Sequence, residues 1–392
     1  MHRSRLSLSF SSLPAIAAAL VLVSASSRAS DPIASVLQPF VDQHILAGAV
    51  TLVADKDKVL DVTTVGYADL AAKKPMDAEA LFWIASMSKP ITAAAFMILV
   101  DESKVNVNDP VEKYLPEFKG QRVAEKSGSK DHPAVGPAHA PKHPILGRNV
   151  LSHTSGLPFK SPIEEPTLDQ KPLAERVQSY AKLELEFEPD TKYQYSNAGI
   201  NTAGRIIEVV SGMSYEDFLQ KRLFDPLGMK DTTFWPTEAQ IARIAKSYKA
   251  NKDKTDIEET PVGQLRYPLN DRANRFPMPA GGLFSTAGDC AKFCQMLLNG
   301  GIYKGQRLLS ETSVQQMTSK QTAPEIATPY GFGFSAGGGT FGHGGAYSTN
   351  MTVDPAKGLI TVFMVQNAGW RSEEGKKIEG LFREAAKRAF VK

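Results

Sequence analysis

The sequence predicts an α+β fold: an antiparallel sheet formed by N- and C-terminal segments, flanked by helices, with a mostly helical region inserted between them. Three observations carry this expectation. Strand-like runs cluster near both ends, at about 46–70 and 328–368, and helical apolar spacing dominates about 95–225. The 392 residues are 42% hydrophobic and 22% charged, ample material for a core, which excludes disorder for most of the chain. At roughly 150 residues per domain, the length suits two domains or one large one.

Residues 1–29 read as a secretory signal peptide. Positive Met1-His2-Arg3-Ser4-Arg5 precedes an apolar stretch densest at 13–23, and small residues then offer cleavage after Ala25 or Ala29. Pro14 and the short apolar run disfavour a spanning helix, and no later segment approaches the roughly 18 apolar residues a span needs. The mature chain, 30–392, is thus expected as one exported domain, periplasmic or secreted. Its charge is balanced: 45 Lys+Arg face 42 Asp+Glu overall, and Arg3, Arg5 and Arg28 belong to the leader. A neutral body has no basic field to hold nucleic acid or an anionic membrane.

The elements follow in order. Residues 31–45 have helical spacing, after which the period drops to two. Runs at 49–54 and 59–65 are β-rich, and Asp55-Lys56-Asp57-Lys58 between them signals a hairpin. Residues 119–144 turn polar, with Gly and Pro, and predict an exposed insertion. Ile200, Ala203, Ile206, Ile207 and Val210 form an apolar helix face that stops at Ser211-Gly212. Ser214-Tyr215-Glu216-Asp217 and Thr286-Ala287-Gly288-Asp289 are capping boxes of the acidic type. Cys290 and Cys294, the only cysteines, sit one turn apart on one face of the second helix and are expected as packed thiols. Segments 330–334, 339–343, 347–353 and 359–366 read as short strands, Asp354-Pro355-Ala356-Lys357-Gly358 as the last turn, and 372–391 as a closing helix.

The chemistry begins at Trp83-Ile84-Ala85-Ser86-Met87-Ser88-Lys89-Pro90, which runs into a helical stretch at 91–100. Ser86 opens the helix and Lys89 follows one turn later, so hydroxyl and amine share a face where the dipole favours developing negative charge. A serine needs a nearby base to become a nucleophile, and a desolvated lysine can be that base. Spacing alone does not select this pair. Ser-x-x-Lys recurs at Ser127/Lys130 and Ser179/Lys182, but only Ser86/Lys89 opens an apolar helix after a sheet segment. Two further signals stand beside it: Tyr195-Ser196-Asn197 is the only Tyr-x-Asn, and His343-Gly344-Gly345 the only His-x-Gly.

With these three motifs in this order, the sequence resembles the serine β-lactamase and penicillin-binding-protein superfamily, in its class C β-lactamase-like branch with related esterases and D-amino-acid peptidases. The resemblance covers roughly residues 32–390. Leu151-Ser152-His153-Thr154-Ser155-Gly156-Leu157 and Gly281-Gly282-Leu283-Phe284-Ser285 look like that branch too. It implies a β-lactamase/transpeptidase-like fold and a serine hydrolase that acts through an acyl-enzyme on a small ester, amide or D-amino-acid peptide, with no cofactor and no metal. It further implies Ser86 as nucleophile, Lys89 as its partner and Tyr195 as the phenol relaying protons to the leaving group. Asn197 would orient the substrate, Gly344 and Gly345 would border it, and the backbone N–H groups of Ser86 and Ala346 would form the oxyanion hole. His343 stands where many relatives carry the Lys of a Lys-Thr-Gly triplet, which favours esters or peptides over β-lactams because neutral imidazole offers the substrate carboxylate no charge. Whether Lys89 or Tyr195 is the base stays open, since the two titrate as a pair.

Competing patterns are weaker. Gly333-Phe334-Ser335-Ala336-Gly337 matches the nucleophile elbow of α/β-hydrolases, but strand-like residues follow it where a helix should. Gly337-Gly338-Gly339-Thr340-Phe341-Gly342 matches a dinucleotide fingerprint with no helix after it. His132, His139 and His143 lie in the polar insertion without regular helical spacing and read as solvated, not metal-binding. A catalytically silent relative that binds peptidoglycan-like ligands is the reading from another functional class.

Overall fold

The two ends of the chain meet in one sheet. The structure, a computed structural model, describes residues 31–129 and 132–391; the leader lies outside the described residues, as does Lys130 of the second Ser-x-x-Lys. Strands β1 (Gly48–Ala54) and β2 (Val59–Asp69) form the expected hairpin. Asp55 closes its turn, because its carboxylate accepts from the Asp57 and Lys58 amides at 2.8 and 2.7 Å. β3 (Lys74–Pro75) follows at one edge, and β4 (Ser335–Gly337), β5 (Thr340–Gly344), β6 (Asn350–Asp354) and β7 (Leu359–Met364) come from the other end of the chain. The order is β4-β5-β6-β7-β1-β2-β3, antiparallel throughout, with Leu52 of β1 opposite Val362 of β7.

Every residue of β1 is buried, so the alternation of its side chains feeds two cores. Val50, Leu52 and Ala54 join the larger core with α2 (Ser88–Asp101), α3 (Asn197–Ser211) and α4 (Ala287–Leu298). Ala49 and Val53 join the smaller one under α1 (Ala34–Asp42) and α5 (Ile378–Phe390). Helix α2 is buried at every position from Ser88 to Leu99, the mark of a helix enclosed on all sides. It packs against α3, which ends at Gly212 with φ 71° as the apolar face predicts.

Three readings change. Residues 330–334 are not a strand: the Gly331 N–H donates to the Phe334 carbonyl, and Gly333 turns at φ 78°, where an added Cβ would lie 2.9 Å from the Lys89 carbonyl. These glycines let the chain bend into α2 where a strand would run straight. The polar insertion contains a hairpin, Val123–Ser129 with His132–His139, because ladder hydrogen bonds satisfy backbone without apolar side chains. Thr286 caps α4 by accepting from the Asp289 N–H at 3.2 Å, but the Asp289 carboxylate accepts from the Asp231 amide instead of closing a box. Cys290 and Cys294 are free and buried on α4, and burial pushes the Cys290 thiol up to about 12.

Candidate active site

The site starts at a junction. Phe82–Trp83 pairs with Phe284–Ser285, and the Trp83 indole donates to the Gly281 carbonyl at 2.7 Å. The chain then reverses through Ala85, at φ 45°, a left-handed conformation that costs a non-glycine residue of order 1 kcal/mol. The tight turn Ala85–Met87 follows and holds Ser86, half-buried, just ahead of Met87, the N-cap of α2.

Lys89 is 0% exposed. Its Nζ lies 3.0 Å from Ser86 Oγ, 2.8 Å from Asn197 Oδ1 and 2.7 Å from the Ala280 carbonyl. Asn197 opens α3, whose start is fixed by Ser196 Oγ accepting from the Gly199 N–H at 3.0 Å. Ala280 is fixed from both helices: its N–H donates to Asn201 Oδ1 of α3, and the neighbouring Pro279 carbonyl accepts from Thr92 Oγ1 of α2. Burial holds the Lys89 amine well below its ordinary range. The carbonyls of Asn197 and Ala280 can only accept, so they take two N–H bonds; in the neutral form of the amine, which burial favours, the lone pair is left to face the Ser86 hydroxyl.

Tyr195 presents its ring to Lys89 Nζ, 4.5 Å from the centroid. Burial, the larger effect, pushes its phenol well above 10, while the neighbouring Ser86 hydroxyl pulls the other way. His343 on β5 lies 6.1 Å from Tyr195, ring to ring, and is buried. Both its nitrogens are engaged: Nδ1 with the Gly344 carbonyl at 2.7 Å, Nε2 with the Tyr330 hydroxyl at 3.0 Å. Burial first, and the nearby Lys89 second, lower its pKa to about 3, so it carries no charge at neutral pH.

The edge strand beside Ser86 is left open. β4 covers β5 only as far as Gly342, so Gly344 and Ala346 are exposed. Gly345 presses on the chain just before Ser86: an added Cβ there would lie 2.6 Å from the Ile84 carbonyl and closer still to Thr349 Oγ1. Ser86, Lys89, Tyr195, Asn197 and His343 therefore form one cluster, with Gly344, Gly345 and Ala346 along its border. Asn197 departs from its expected part in one respect, since Oδ1 is committed to Lys89 and only its NH₂ remains for a substrate.

The beta-lactamase family model matches residues 33–383. The chain belongs to that family. A member of a family of serine hydrolases, it is 32% identical to Protein Rv1367c of Mycobacterium tuberculosis over 360 residues, covering 83% of this chain and 87% of the relative. Penicillin-binding protein 4 of Amycolatopsis lactamdurans is 29% identical over 336 residues, 82% of this chain and 81% of the other. Among solved structures, EstCE1, described as a hydrolase with promiscuous acyltransferase activity, superposes with a TM-score of 0.74 at 24% identity, over 91% of this chain and 97% of its own.

For this family member the competing motifs fall apart in three dimensions. Ser335 is exposed at the start of a strand and is followed by a hairpin whose Gly338 and Gly339 have positive φ, so neither elbow nor dinucleotide loop forms. His139 and His143 pair with Glu188 and Asp190, and among the described residues no cluster suits a metal. Among the same residues, no helix is long and apolar enough to cross a membrane. Sequence reasoning missed His153 and Tyr330 as parts of the cluster. His153 stood inside a stretch quoted for its resemblance, whereas Tyr330 carried no signal. It also missed Phe159, an exposed ring stacked on Tyr195 at 6.4 Å.

Proposed function

We propose that the protein is an exported serine hydrolase working through an acyl-enzyme, with an ester, an amide or a D-amino-acid peptide as substrate. The observation that carries this reading is a seryl hydroxyl just ahead of a helix, 3.0 Å from a fully buried amine whose other hydrogen-bond partners are carbonyl oxygens. Ser86 Oγ attacks the substrate carbonyl carbon while its proton passes to the neutral Lys89 amine. The Tyr195 ring face then stabilises the ammonium so formed. The oxyanion takes hydrogen bonds from the Ser86 and Ala346 amides, each worth about 3 kcal/mol in such sites. As the bond to the leaving group breaks, that group receives a proton through the Tyr195 hydroxyl. Water then adds to the acyl carbon and gives its proton to the same pair, which passes it to Ser86 Oγ as the ester bond breaks, restoring the hydroxyl and the neutral amine. Lys89 is the base in this scheme, because burial favours its neutral form and equally favours the un-ionised phenol of Tyr195.

Esters and peptides rank above β-lactams, since a neutral His343 supplies no cation for a β-lactam carboxylate. The leader composition is the support for export. Ser86→Ala is expected to abolish hydrolysis of p-nitrophenyl butyrate and labelling by a fluorophosphonate. Retained turnover in that variant would remove the nucleophile assignment, and reversible ligand binding without an adduct in the wild type would replace hydrolysis with a binding role. Mass spectrometry after exposure to a penicillin and to the ester locates the adduct and ranks the two chemistries.

A further inference from the structure

A buried chain of hydrogen bonds runs behind the site, and its partners allow a single direction. The Ser196 N–H donates to His153 Nδ1 at 3.2 Å, so that nitrogen is bare and the imidazole proton sits on Nε2. The Gly344 carbonyl accepts from His343 Nδ1 at 2.7 Å, so this second imidazole is bare at Nε2. The Tyr330 hydroxyl stands between the two bridging nitrogens, 3.3 Å from His153 Nε2 and 3.0 Å from His343 Nε2. It accepts from the first and donates to the second. Protonating His153 would set its Nδ1–H against the Ser196 N–H, protonating His343 would take from the Tyr330 O–H its acceptor in this chain, and burial holds both imidazoles below their ordinary range.

His153 also grips the backbone on both sides of Tyr195. Its carbonyl accepts from the Gln194 N–H at 2.9 Å and its ring accepts from the Ser196 N–H, while the ring itself lies 4.5 Å from that of Tyr195. The left-handed backbone at His153, φ 61°, aims both groups at that segment.

We infer that His153 and Tyr330 are positioning residues for the reaction: His153 sets the Tyr195 phenol, and Tyr330 ties it through His343 to the substrate-binding edge of β5. This rests on the acyl-transfer reading above. The chain fixes the spacing between the phenol and the strand that borders the oxyanion site, two groups that come from distant parts of the sequence. His343 belongs to the same set, since its nitrogens face Tyr330 and Gly344 and leave none for a substrate.

Two measurements test it. In protein labelled with ¹⁵N-histidine, the tautomers of the seven histidines are read by two-bond nitrogen–carbon-proton correlation at neutral pH. His153 and His343 are assigned by the signals lost in His153→Asn and His343→Gln. We expect the Nε2–H form at His153 and the less common Nδ1–H form at His343; an Nε2–H form at His343, or a charged ring at either position, overturns the chain. This readout is taken on the wild-type protein and does not depend on catalysis.

The kinetic arm uses p-nitrophenyl butyrate. Tyr330→Phe is expected to lower kcat roughly tenfold, with KM within about twofold, because the substrate still binds while the phenol and edge strand lose their shared tie. His153→Asn keeps an acceptor for the Ser196 N–H and tolerates the left-handed backbone, so it should retain more activity than His153→Ala. Wild-type kcat in both Tyr330→Phe and His153→Ala overturns the positioning role. Loss of acylation in Ser86→Ala alongside that result would leave the acyl-transfer reading standing, so the two failures are distinguishable.

Discussion

Among the described residues the basic side chains of Lys89, Arg176 and Arg275 are buried, and Lys89 and Arg275 are treated in opposite ways. Arg275 is 2% exposed and meets a carboxylate, with Nε 2.7 Å from Asp169 Oδ2, and it also donates to the Phe234 carbonyl. Lys89 is equally buried but meets an amide carbonyl, a backbone carbonyl and a hydroxyl. A guanidinium keeps its charge at any accessible pH and requires a counter-charge when desolvated, whereas an amine can shed its proton. Pairing makes the first site structural. Withholding a counter-charge suits the second to the base role proposed for it.

The sharpest way to break that contrast is to restore charge at Lys89. Lys89→Arg places a permanent cation at the site and Lys89→Met removes the proposed base; either should cut kcat for p-nitrophenyl butyrate by about 10²–10⁴-fold, read from the steady-state rate. The pH profile sharpens the same point. In the proposed scheme the amine works unprotonated, so kcat/KM should rise with pH through the depressed Lys89 pKa and be level well before the ordinary lysine range. A rate still climbing tenfold per pH unit up to pH 10 would mean that burial does not lower this group. The sign for stability agrees. Between the depressed Lys89 pKa and the ordinary lysine value the unfolded chain holds a proton the folded one lacks, so stability should rise with pH across that window, and Lys89→Met should lack this slope.

The ion pair gives the complementary test. Asp169→Ala leaves Arg275 buried without a counter-charge and should cost about 3–5 kcal/mol, measured as a shift in urea midpoint at constant m-value. Lys89→Met removes a neutral group and should shift the midpoint by less. Equal shifts would erase the distinction between the two sites.

Gly345→Ala probes how closely the edge strand must approach. Its Cβ would meet the Ile84 carbonyl, and displacing the strand by a fraction of an ångström should lower kcat by roughly 10–100-fold. The smallest effect belongs to the other Ser-x-x-Lys that the structure describes. Ser179 lies near the C-terminal end of the helix Leu173–Tyr180, hydrogen-bonded to Ser161, and Lys182 is exposed beyond it. Lys182→Ala should leave kcat within about twofold of wild type, checked in the same assay.

How much of this was legible varies by element. The β1–β2 hairpin was readable because Asp55 to Lys58 is a local turn between alternating runs, and α3 because its apolar face and Gly212 stop signal lie within one stretch. Residues 330–334 misled because their apolar pattern fits a strand, while the bend comes from Gly331 and Gly333 meeting a helix from elsewhere in the chain. Ser86, Lys89, Tyr195, Asn197 and His343 were each nameable from short motifs. Their joint placement was an expectation of the resemblance, and His153 and Tyr330 had no motif pointing to their function.

By itself the amino-acid sequence determined which groups were available: a hydroxyl and an amine one turn apart, a phenol, an imidazole among glycines, and strands at both ends to build a sheet. These are local properties, set by residue type and backbone period. Tertiary structure alone decided that Lys89 lacks a counter-charge while Arg275 has one, that both faces of His343 are spoken for, and that Gly345 lies against Ile84. Desolvation and hydrogen-bond partnership depend on neighbours brought together across more than a hundred residues, and no local pattern encodes them.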